Sequence, residues 1–101
     1  MRNMEKVKSV EMGTDNKKVL IAQLTYDLPV LRARLGISQA RLAEKVGISR
    51  QTYNSIETGK KEMPWTVFLA LIAVFQNNEE TRKMLGNVEK IKEALNSKVG
   101  Y

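Results

Sequence analysis

The chain contains no cysteine and no histidine in 101 residues. The first absence excludes disulfides, cysteine-held metals and a thiol nucleophile. The second removes the commonest metal ligand and the one side chain whose ordinary pKa lies near neutrality. Only carboxylates are left for acid–base chemistry, so neither an enzyme nor a metal or cofactor is expected. No apolar run approaches the roughly 18 residues that span a bilayer. The amino terminus, MRNMEKVKSVEMGTDNKK, is charged and lacks the apolar core of a signal peptide. The expectation is a soluble, cytoplasmic protein with no membrane partner.

What is present suits one small domain. A hydrophobic content of 43% can supply one modest core. The formal net charge is +6, which favours a polyanionic partner. Its distribution is uneven. Residues 38–61 carry Arg41, Lys45, Arg50, Lys60 and Lys61 against Glu44 and Glu57, a net +3, whereas residues 62–101 balance to zero.

Residues 1–15 show no sustained periodicity and read as a flexible arm or frayed helix, with Arg2, Lys6 and Lys8 available to a polyanion. Residues 16–25 are apolar at Val19, Leu20, Ile21, Ala22 and Leu24, a run that periodicity alone leaves open between helix and strand. We favour helix. From Asp27 the punctuation is helical. Asp27 is an N-cap type, Pro29 falls in the first turn, and Leu28, Leu31 and Leu35 recur at helical spacing until Gly36. Ser38 opens a second helix that ends at Gly47, and Ser49 opens a third that ends at Gly59. Residues 65–75 are apolar nearly all round, the mark of a helix wrapped by others. Asn77 and Glu80 resemble a capping box before a carboxyl-terminal helix. The expected architecture is all-α: a compact bundle of about five short helices. Its domain plan is an arm (1–15), a helical domain (16–76) and a helical extension (77–101), with no segment left for a ligand-sensing or protease domain.

Residues 37–61, ISQARLAEKVGISRQTYNSIETGKK, are the most informative stretch. Two short capped helices joined through Gly47 must cross steeply, because the turn has no slack. Gly47 is expected at positive φ, Ala43 permits close approach, and Ile48 fills the wedge. With Tyr53 and Ile56 turned inward, Gln51, Ser55 and Thr58 turn outward, flanked by Arg50 and Asn54. That face offers donors and acceptors without a carboxylate, as base reading requires.

The segment resembles the phage repressor and Cro-like helix-turn-helix family, the xenobiotic-response-element type, whose fold is that of lambda-repressor-like DNA-binding domains. The resemblance covers about residues 28–76. It rests on Leu31-Arg32, Gly36-x-Ser38-Gln39, Leu42-Ala43, Val46-Gly47-Ile48-Ser49, Ile56-Glu57-x-Gly59-Lys60 and Pro64. It implies that the helix from Arg50 lies in the major groove of double-stranded DNA. Arg50, Gln51, Thr52, Asn54 and Ser55 would then read bases, and Gln39, Ser49, Thr58 and Lys60 would meet phosphates. It also implies a structural salt bridge between Arg32 and Glu57. Tyr53 departs from the small aliphatic residue usual there; its ring is expected in the core and its hydroxyl near the interface. Trp65 is expected to pack at the start of the fourth helix, where the family often has a small polar cap.

Family members commonly bind as homodimers, and the stripe Met84, Val88, Ile91, Leu95 is the candidate dimer interface, with packing on the domain's own core as the alternative. The function implied is a sequence-specific transcriptional regulator, a repressor. The alternative is an antitoxin-like or controller protein that binds a partner protein through its carboxyl-terminal helices and regulates its own promoter. A module binding nucleic acid by charge alone would show a steep salt dependence and no sequence preference.

Overall fold

The computed structural model describes residues 2–85, with side chains from residue 16 onward. These form five α-helices and no strand: α1 (Arg2–Leu35), α2 (Gln39–Val46), α3 (Arg50–Glu57), α4 (Trp65–Gln76) and α5 (Glu79–Leu85). None is long and apolar enough to cross a membrane.

The ambiguous run at residues 16–25 is helical, and the helix does not start at Asp27. Asp27 and Pro29 lie inside α1, which begins at Arg2, so residues 2–15 are helical in backbone. Packing explains the continuity. Leu24, Leu28 and Leu31 are buried on one face, with Leu20, Ile21 and Leu35 packed beside them. This stripe runs without a break past Pro29. A proline inside a helix costs about 3 kcal/mol relative to alanine. Three buried leucines, each worth about 1.5–3 kcal/mol, outweigh that.

Each short helix is punctuated locally. Ser38 Oγ accepts the Arg41 backbone N–H at 3.1 Å to open α2, and Ser49 Oγ accepts that of Thr52 at 3.0 Å to open α3. At the far end of α2, Gly47 has φ 81°. Its N–H donates to the Glu44 carbonyl at 3.2 Å and that of Ile48 to the Ala43 carbonyl at 3.0 Å, the paired bonds of a Schellman stop. A β-carbon at Gly47 would have nothing within 4 Å, so the requirement there is conformational and owes nothing to crowding. The α4–α5 junction lies one residue later than the expected capping box. Asn77 closes α4, and Asn78 Oδ1 accepts from the Glu80 and Thr81 backbone at 2.9 and 3.2 Å.

The core gathers one face of each helix. Leu42 and Ala43 of α2, Tyr53 and Ile56 of α3, and Val67, Phe68, Leu71 and Phe75 of α4 close on the α1 leucines, with Met63 from the loop. Trp65 starts α4, stacks on Phe68 with centroids 4.7 Å apart, and receives the Lys17 ammonium 5.0 Å from its ring. Lys17 thereby joins α1 to α4. Thr81, fully buried, donates its hydroxyl to the Phe75 carbonyl at 2.7 Å, which ties α5 to α4.

Candidate nucleic-acid interface

The serine cap that opens α3 also orders its neighbour. Ser49 Oγ donates to Thr52 Oγ1 at 2.9 Å while accepting from the Thr52 backbone. The Ser49 proton is thus spent inside the protein, and the proton of Thr52 is left to point elsewhere. Beyond the cap, Tyr53 and Ile56 anchor the inner side of α3. Arg50, Gln51 and Asn54 are exposed on the outer side, with Thr52 and Ser55 half-buried.

Ser55 is more covered than a bare helical wheel suggests. The loop after α3 folds back over it, and its carbonyl accepts the backbone N–H groups of Lys60 and Lys61 at 2.8 and 3.0 Å. The Thr58 hydroxyl donates to the Asn54 carbonyl at 2.8 Å, so its proton too is committed locally. Lys60 and Lys61 stand exposed on this loop. The ion pairs Arg32–Glu57 and Arg82–Glu79 involve none of Arg41, Lys45, Arg50, Lys60 and Lys61, which are all unneutralised among the described residues. The positive excess of residues 38–61 therefore faces solvent as charge.

Behind the outer face lies a polar knot centred on Glu57, whose side chain is only 6% exposed. Arg32 grips it with two bonds, Nε to Oε2 at 3.3 Å and Nη2 to Oε1 at 3.4 Å, and donates from Nη1 to the Ile37 carbonyl at 3.3 Å. Burial alone would lower the Arg32 pKa, but its hydrogen bonds to Glu57 and the charge of that carboxylate more than offset this and raise it. Tyr53 donates its hydroxyl to Glu57 Oε2 at 3.0 Å. Burial, then the adjacent Glu57 charge, pushes the phenol well above its ordinary value, with Arg32 offsetting part of the rise. The Tyr53 ring is in the core, as expected, but the expectation for its hydroxyl is corrected: it faces inward to the knot instead of outward to a partner. The Tyr53–Glu57 spacing of four residues on one helix was a signal available in the sequence.

Gln39, the first residue of α2, is half-buried and joins the same knot. Its Nε2 donates to Glu57 Oε1 and to Asn54 Oδ1, the latter at 3.1 Å. Because the Glu57 carboxylate only accepts, the amide nitrogen of Gln39 must face it. Sequence reasoning missed this link from the start of α2 to the outer face of α3. Met84, the first residue of the stripe read as a dimer interface, is half-buried against the core, while Val88, Ile91 and Leu95 lie outside the described residues.

No curated protein and no solved structure gives a significant match to the chain. Residues 27–85 match the helix-turn-helix domain, a span that takes in the last quarter of α1 and all of α2 to α5. That span is more than half of the 101 residues and contains the serine-capped pair and the basic loop described above, so the chain belongs to the helix-turn-helix domain family.

Proposed function

We propose that this protein is a Cro-like transcriptional repressor that reads double-stranded DNA with the outer face of α3. One observation carries the reading. A doubly capped eight-residue helix presents Arg50, Gln51 and Asn54 to solvent, with unpaired lysines on the loop that follows. Eight helical residues are about 12 Å long, and the major groove is about 12 Å wide. In this reading Arg50 donates twice to guanine, Gln51 pairs with adenine, and Thr52, Asn54 and Ser55 complete the contacts. Lys60 then meets the duplex backbone with its charge, while Ser49 and Thr58, whose hydroxyl protons are committed within the protein, would exchange those bonds to reach a phosphate. The Glu57 knot supports this reading by holding α3 against α1 and α2, so the reading helix is fixed before DNA arrives.

The protein is proposed to act as a homodimer on half-sites about 34 Å apart, since one eight-residue helix reads too few bases to find a unique site. Selection of bound duplexes from a random pool tests the proposal. The expected product is a palindromic consensus with two half-sites about one helical turn apart. Recovery of unrelated sequences, with affinity set only by salt, would reject base reading.

A further inference from the structure

Resting on the DNA-reading face proposed above, we infer that Gln39 is a positioning residue that fixes the side-chain amide of Asn54 for base reading, and that its side chain contributes to DNA binding through Asn54 and not as a phosphate ligand. A neutral amide nitrogen has two hydrogens. Both are committed: one to Glu57 Oε1 and one to Asn54 Oδ1. A phosphate accepts and cannot donate, so the side-chain carbonyl of Gln39 that remains has nothing to offer it.

The anchor is also held from several sides. Glu57 is bound at the same time by Nε and Nη2 of Arg32 and by the buried Tyr53, which restrains the end of Gln39 bound to it. Gln39 then transmits that fixed position across the α2–α3 angle to an exposed residue. The consequence for Asn54 is specific. Rotation about its last bond would exchange oxygen for nitrogen, which a free exposed asparagine does readily. With Oδ1 held by Gln39, Nδ2 is set in one direction, and the amide meets a base edge in one orientation only. An asparagine so held loses less freedom on binding.

The substitution Gln39→Met tests this, because it keeps the length and packing of the side chain and removes both donors. Gln39→Ala, a good helix former, is the second variant, and thermal melting of each verifies that it is folded. Binding is measured on the selected duplex, on its single-base variants and on scrambled DNA, with Asn54→Ala and the double variant alongside. We expect Asn54→Ala to flatten the preference at one base pair. Gln39→Met should reduce preference at that same pair by about fivefold, the worth of one well-placed hydrogen bond, and change scrambled binding less than twofold. The double variant should be no worse than Asn54→Ala. Equal weakening on selected and scrambled DNA, a loss at a different base pair, or additive losses in the double variant would overturn the assignment. Wild-type protein without any base preference would overturn the reading beneath it as well, and is told apart because the failure precedes any substitution.

Discussion

The turn after α2 and the loop after α3 are built on one backbone plan and put to opposite uses. Both stop on a glycine at φ near 80°, Gly47 and Gly59, and both place the N–H of the following residue on a carbonyl five residues back. After α2 that following residue is Ile48, packed against the core; after α3 it is Lys60, exposed. The end of α1 matches the first pattern, with Ile37 packed against the core after Gly36. A Schellman stop is ordinarily accompanied by an apolar contact from the residue after the glycine. Two stops have it and the third gives it up. The third stop is therefore held by backbone bonds to Ser55 and by the Glu57 knot, which leaves its lysines free to meet a partner. Folding and presentation are separated at the level of one side chain.

The largest effect should come from cutting what joins the stops. Arg32 binds Glu57 near the third stop and the Ile37 carbonyl at the first. Arg32→Ala should cost about 3 kcal/mol in urea unfolding, the low end of the range for breaking a buried pair, because Arg32 keeps partial exposure. An unchanged unfolding midpoint would remove the knot from the account. Next comes Ile48→Lys, which makes the second stop resemble the third. It should destabilise by about 2 kcal/mol, since the half-buried isoleucine is lost and nothing holds the turn in its place.

Gly47→Ala and Gly59→Ala sharpen the comparison from the backbone side. Each forces a β-carbon to positive φ, at about 1–2 kcal/mol, and with open space at both sites the two costs should be alike. A large difference between them would mean that the shared plan is superficial. The smallest stability effect belongs to Lys60→Ile, within about 0.5 kcal/mol of wild type because the residue is exposed. Its expected consequence is instead a uniform loss of DNA affinity with a shallower salt dependence.

How far the sequence reveals this architecture depends on what sets each boundary. The ends of α2 and α3 follow from Ser38, Gly47, Ser49 and Gly59, because caps and stops act through bonds to residues close by in the chain and need no knowledge of the rest of it. The long first helix was not legible in the same way. Asp27 and Pro29 imitate a helix start, and only the packing of Leu24, Leu28 and Leu31 against distant elements keeps the helix continuous through them. Pro29→Ala should accordingly stabilise the protein, by up to about 3 kcal/mol, because Pro29 is exposed and contributes no buried contact.

The site divides along the same line. The exposure of Arg50, Gln51 and Asn54 could be read from helical spacing, given Tyr53 and Ile56 as inward anchors. The role of Gln39 could not. Its partners lie 15 and 18 residues away, and their meeting depends on the angle between α2 and α3. The covering of Ser55 by the returning loop likewise depends on bonds to Lys60 and Lys61 that no local pattern announces.

The central claim is that the outer face of α3 distinguishes base pairs while the basic loop behind it supplies general attraction. The most direct measurement is the binding of Gln51→Ala and Lys60→Ala to a selected duplex and to a scrambled one, across a range of salt. Gln51→Ala should lose affinity for the selected duplex alone, by about 1–3 kcal/mol, and Lys60→Ala should lose it for both. Equal losses on both duplexes for both variants would contradict the account.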